Sequence, residues 1–216
     1  MKNPGILLIL LASALPCLAS LEWSTTDLTL KTAVGQARAV AVYRFRNSGD
    51  RPVHIVSLDP SCECMAAQPG KAVYAPGETG EIRVEVSLAG YSGRLRRSLA
   101  VETDDPDHRY TDLTLTIDVP EPVSISPRFL YWRVGEPPAA KRLQIIVADP
   151  AAVSLGGTVS ENPAFRVRLT DEGRGRYWLT VQPKDTREAI DAPIRLKASI
   201  GGRAQVYIVY AAVKQP

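Results

Sequence analysis

Two cysteines one residue apart, Cys62 and Cys64 in the run Asp59-Pro-Ser-Cys-Glu-Cys-Met65, are where the side chains of this sequence offer the most reactive chemistry. Four uses compete for such a pair. The first is a disulfide between the two. A fully extended strand sets the Cα atoms of residues i and i+2 about 6.6–7 Å apart, at the outer limit for a bridge, so the segment would have to curl to oxidise. The second is metal binding: two soft thiolates, with Met65 beside them and His54 upstream, form a donor set suited to Cu(I). Zinc asks for four ligands in a closed site, and the two histidines, His54 and His108, are far apart in sequence. The third is a redox-active dithiol, against which Glu63 argues, since a neighbouring carboxylate disfavours thiolate formation. The fourth is plain packing, because free cysteine buries readily as a small apolar residue. Met65 and His54 each have an ordinary reading too, Met65 in a core or turn and His54 facing solvent from a strand.

No other constellation assembles a catalytic set, so a non-enzymatic protein without a cofactor is expected. Gly90-Tyr-Ser-Gly93 lacks the following helix that a nucleophile elbow needs. His108 lies in the acidic turn Asp104–Arg109, whose aspartates lack calcium-loop spacing and match ordinary turn chemistry. Arg94, Arg96 and Arg97 form a basic patch, with Arg97 on what should be an inward face; it reads as an irregularity or as edge-strand charge that guards against unwanted pairing, with partner binding the alternative. Tyr177, Trp178, Tyr207 and Tyr210 are either a recognition surface or, as alternating aromatics more often are, a core and its flank.

The elements that hold these residues lie beyond an export signal. Lys2, an apolar run from Gly5 to Leu15 and the small residue at Ala19 give residues 1–19 the anatomy of a signal peptide cleaved before Ser20. Lipidation of Cys17 is the alternative, although Pro16 stands where a small residue is expected. No later stretch is long and apolar enough for a membrane-spanning helix. A periplasmic or secreted protein is expected. The 26 basic and 23 acidic residues give a formal charge of +3, which cleavage lowers by one; such a balance makes no electrostatic case for nucleic acid.

Period-two alternation dominates the remainder. Glu81–Leu88 puts Ile82, Val84, Val86 and Leu88 on one face; Asp112–Val119 does the same with Leu113, Leu115, Ile117 and Val119, as does Ala39–Arg46 with Ala39, Ala41, Tyr43 and Phe45. Arg94–Glu102 points Leu95, Leu99 and Val101 inward, and strands are also expected near Leu28 and Val53. Turns separate them: Asn47-Ser-Gly-Asp50, Ala75-Pro-Gly-Glu78 in type II order, and Asp104-Asp-Pro-Asp107. After the prolines of Val119-Pro-Glu-Pro-Val123, a second series covers 129–134, 141–147, 164–169, 176–182, 193–200 and 203–213. Both series begin with a tryptophan-bearing strand (Trp23, Trp132), without a legible internal repeat. The fold expected is all-β: two tandem Ig-like antiparallel β-sandwich domains, residues 20–120 and 121–216, after the signal peptide.

Four motifs in order, Asn47-Ser-Gly-Asp-Arg-Pro-Val-His-Ile55, Ser61-Cys-Glu-Cys64, Tyr74-Ala-Pro-Gly-Glu-Thr-Gly80 and Thr103-Asp-Asp-Pro106, make residues 37–119 resemble the bacterial domain of unknown function 1573. That family is Ig-like and similar to the sandwich modules of sperm and cilia-associated proteins, so the resemblance implies fold and location and no established activity. Its pattern carries Gly where this chain has Glu63, and a positive φ there would cost Glu a steric penalty. The function expected is an exported, non-enzymatic module that binds a protein or cell-envelope component through loops and strand edges. The alternative is a periplasmic thiol protein that binds copper or carries electrons through Cys62 and Cys64.

Overall fold

Strands are the whole of the regular structure in this computed structural model, which describes residues 20–160 and 162–215; the expected signal segment 1–19, with Cys17, lies outside the described residues. No helix among them is long and apolar enough to cross a membrane. The first nine strands are β1 (Leu21–Trp23), β2 (Asp27–Lys31), β3 (Arg38–Asn47), β4 (Val53–Pro60), β5 (Met65–Pro69), β6 (Val73–Tyr74), β7 (Thr79–Ser87), β8 (Gly93–Thr103) and β9 (Tyr110–Val119). They form two sheets, ordered β1-β3-β7-β5 and β2-β9-β8-β4-β6. The eight that follow are β10 (Val123–Ser126), β11 (Phe129–Arg133), β12 (Lys141–Val147), β13 (Val153–Ser160), β14 (Phe165–Asp171), β15 (Arg176–Pro183), β16 (Ile190–Ile200) and β17 (Arg203–Lys214). Their sheets are β10-β12-β15-β14 and β11-β17-β16-β13.

Apart from the short edge strand β6, the two halves share one strand order, the constant-type Ig arrangement with its first strand split between both sheets. The split adds parallel pairing at one edge to sheets that are antiparallel as expected. β11 runs parallel to β17, with Phe129 opposite Tyr210 and Arg133 opposite Lys214. In the first half, Thr114 N–H donates to Thr26 C=O and Thr32 N–H to Asp118 C=O, so β2 follows β9 in the same sense. A segment that opens on one sheet and crosses to the other meets the half's last strand pointing its own way.

The alternation places the cores where expected. Ile82, Val84, Val86, Leu113, Leu115 and Ile117 are fully buried, with Ala39, Ala41, Tyr43 and Phe45 beside them. The two first-half sheets meet directly, since the Tyr43 hydroxyl on β3 donates to Thr114 C=O on β9 at 2.7 Å. In the second half Leu143, Ile145, Leu179 and Val181 face Trp132, Ile194, Leu196 and Val209 in one cluster. The type II turn forms as its residues require: Gly77 has φ +75° and Glu78 N–H donates to Ala75 C=O at 3.0 Å. Arg97 stands in the row of Leu95 and Leu99 as its position suggested, but it is half-buried, with its guanidinium 5.3 Å from the Tyr91 ring centre.

Tyr43 yields the first expected outcome. Burial, aided by the Asp27 charge, pushes its phenol up to about 12 from 10.0. A raised folded value means that the contribution is complete below pH ~10 and is lost as the pH climbs towards ~12. Urea titrations across that window should show wild type losing about 2–3 kcal/mol that Tyr43→Phe does not lose.

Candidate functional site

The thiol pair is built at the end of β4. Beyond Pro60 the chain is still tied to β8: Ser61 N–H donates to Ser98 C=O at 3.0 Å, and Ser98 N–H donates to Ser61 Oγ at 3.0 Å. It then turns, with Met65 N–H donating to Cys62 C=O at 3.2 Å. The turn draws the two cysteine Cα atoms in to 5.2 Å, and the sulfurs are joined at 2.05 Å. Both cysteines are half-buried, and Glu63 between them is exposed. Arg174 is the one non-glycine residue with positive φ among those described, so Glu63 fits this turn without the steric cost raised by the family's glycine.

The other two candidates do not join the pair. Met65 is 5% exposed and opens β5 as a core residue. His54 sits exposed near the start of β4, where its N–H donates to Asp104 Oδ1 at 2.7 Å and its C=O accepts from Asp104 N–H at 3.1 Å. It lies six residue steps of strand from Pro60, about 20 Å. The copper set imagined from sequence is thus pulled apart: the sulfurs bond each other, Met65 points into the core and His54 occupies the far end. Among the described residues no group of three His, Cys, Asp or Glu is placed to hold a metal ion. A loop this small restricts the unfolded chain little, by about 1.6 kcal/mol in chain-entropy terms. Cys62→Ser with Cys64→Ser should therefore move the urea midpoint only slightly, and a loss of several kcal/mol would contradict it.

The acidic turn that carries His108 has a structural job. Thr103 Oγ1 accepts from Asp105 N–H at 3.3 Å, and Asp105, itself 2% exposed, accepts from Asp107 N–H at 3.0 Å. The second Asp105 oxygen lies 3.5 Å from His108 Nδ1. Glu102 completes the hairpin with bonds from Arg109 at 2.7 Å and Ser57 at 2.9 Å, and these hold its carboxyl below the usual glutamate range.

Two surface features went unseen in sequence. One is a cleft of about 690 Å³ lined by Trp23, Phe45, Tyr74 and Gly80, with Arg44 and Arg46 among its charged residues. Its rings touch in series, Trp23 to Phe45 at 4.9 Å and Phe45 to Tyr74 at 4.7 Å between centres. The second is the outer face of β11, β17 and β16. Phe129 (67% exposed), Tyr131 (62%) and Tyr210 (46%) stand there with Val206 and Ile208. Phe129 and Tyr210, register partners, stack at 5.3 Å. A signal for this face was present: Phe129-Leu-Tyr-Trp132 and Val206–Val213 are apolar on both alternating faces, the pattern of strands covered on two sides. Of the four aromatics singled out in sequence, only Tyr210 belongs to it; Tyr177, Trp178 and Tyr207 are half-buried.

Among solved structures, a protein of unknown function from Porphyromonas gingivalis W83 is 12% identical, aligned over 90% of this chain and 99% of that one with a TM-score of 0.35. The ASH/PapD-like domain 7 of human CEP192 is 13% identical over 56% of this chain and 99% of that one, with a TM-score of 0.40. The YadV chaperone is 15% identical over 88% of this chain and 98% of that one, with a TM-score of 0.36. Likenesses this distant carry no weight in the assignment, and the fold rests on the chain's own sheets. No curated protein matches the sequence. Residues 21–119, from the start of β1 to the end of β9 with the Cys62–Cys64 turn between them, match the family described as protein of unknown function (DUF1573).

Proposed function

We propose that the chain is an exported, non-catalytic module of Ig-like sandwiches that binds a protein or another cell-envelope component. The observation that carries this reading is the exposed apolar face of β11 and β17. Five large apolar side chains, Phe129, Tyr131, Val206, Ile208 and Tyr210, lie in neighbouring rows of one sheet and meet solvent. Single exposed apolar residues need no explanation, whereas a contiguous patch marks an interaction surface. Aromatic residues are also what interface centres are enriched in. The rigid sheet gives such a patch a fixed shape, so little ordering entropy is lost when a partner docks.

A photo-crosslinking amino acid at position 131, in the full chain expressed in its own cells, tests the reading. A discrete adduct at 131 and none at exposed Arg83 on β7 is the expected result. An intact, exported protein that forms no adduct at 131 would overturn it. The mass of the same material checks export, with the mature chain beginning at Ser20.

A further inference from the structure

The charges around the apolar face narrow the kind of partner, and this step rests on the binding reading above. On the outward side, register places Tyr131 beside Ala212 and Asp191, Phe129 beside Tyr210 and Pro193, Ile208 beside the half-buried Arg195, and Val206 beside Lys197. The carboxylates in this neighbourhood are engaged within the chain. Asp191 pairs with Lys214 at 2.8 Å, Glu136 with Lys141 at 3.2 Å and Glu121 with Arg128 at 3.4 Å. Lys197, beside Val206, is exposed, and so is Arg133, just past Tyr131 on β11, which shares the Glu136 carboxylate with Lys141. Around the apolar rows the cations Arg128, Arg133, Lys141, Arg195, Lys197 and Lys214 outnumber the carboxylates Glu121, Glu136 and Asp191, and Lys197 and Arg133 mark the two ends, eight residue steps of β17 (Val206 to Lys214) or about 27 Å apart.

We propose that this face docks a protein surface that is apolar at its centre and acidic at its rim. Charge complementarity selects the occupant. An acidic rim meets Arg133 and Lys197, steers the encounter and fixes register, while the aromatic rows supply the contact area. A second copy is disfavoured by the same charges, because a two-fold pairing sets the patch against itself and brings like cations together. Exposed aromatics with flanking cations also suit an anionic bilayer surface, so lipid must be one arm of the test.

The experiment uses the full mature chain and three probes: a strand-length peptide alternating Glu with Leu and Tyr, its counterpart with Lys in place of Glu, and phosphatidylglycerol vesicles. The acidic peptide should bind at least about tenfold more tightly than the basic one, and the difference should shrink as salt rises. Lys197→Glu with Arg133→Glu should reverse the preference, and circular dichroism checks that the variant is folded. Tyr210→Ser should weaken the acidic peptide without changing its preference over the basic one. Equal affinity for the two peptides, or no binding of either, overturns the acidic-partner inference. The adduct at position 131 separately decides whether the face binds anything, so the two ideas fail independently. Vesicle binding that disappears in the charge-reversed variant, with no peptide binding, would give the face to lipid and overturn the proposal too.

Discussion

Gly80→Ala should cost about 3 kcal/mol or more, although it adds a single methyl group. Gly80 is on β7, and a Cβ there would lie 2.2 Å from Tyr74 Cε1 and 2.5 Å from Phe45 Cζ. Both rings are held by their neighbours. Tyr74 is 1% exposed and Phe45 2%, they pack edge to face, and the Tyr74 hydroxyl accepts from Lys71 N–H at 3.1 Å. The empty position on β7 is what lets an aromatic ring from β6 reach across to the β3 row. Urea unfolding should show a large fall in midpoint. Adding Phe45→Leu to Gly80→Ala should recover part of the loss, a coupling that independent sites would not show. A shift below about 1 kcal/mol for the single change would contradict the packing.

Trp132→Ala should be as damaging to the second half, at about 3–5 kcal/mol. Trp132 on β11 has no exposed surface, its Nε1–H donates to Ala139 C=O at 2.8 Å, and its ring lies 5.8 Å from that of Phe165. Truncation empties the middle of the cluster and leaves the Ala139 carbonyl without its donor. Trp132→Phe separates the two losses: it keeps most of the volume and forfeits the hydrogen bond, for about 1–2 kcal/mol. Calorimetry on both variants checks the order, and a phenylalanine variant as unstable as the alanine one would show that the hydrogen bond outweighs the packing.

Much of this architecture was legible because one-sided strands leave no choice of face. Ile82, Val84 and Val86 could be assigned inward from alternation alone, and they are fully buried. The strands missed are those whose residues break the rhythm. β13 carries Gly156-Gly157, where the register shifts at a bulge and Gly157 takes φ +99°. β10 is fitted between Pro122 and Pro127, so its four residues looked like linker. β5 reads Met-Ala-Ala-Gln-Pro, with no β-branched residue to announce it. The family match reaches back to residue 21, beyond the motifs that suggested it from residue 37, because β1 and β2 belong to the same pair of sheets. Of the site, the cysteines' nearness in sequence carried over into space. The distance of His54 did not show, since it depends on a strand staying straight. The aromatic face was hidden because Phe129 and Tyr210 are 81 residues apart and meet only through a parallel pairing that alternation cannot reveal.

That parallel pairing also governs how the second half would bear tension. β11 comes early in this half and β17 near its end, yet they lie side by side pointing the same way. Pulling the chain outward from both ends drags the two strands past each other along their shared ladder. Its hydrogen bonds then carry the load together and must yield at once, whereas an antiparallel pair pulled from its open end would peel bond by bond.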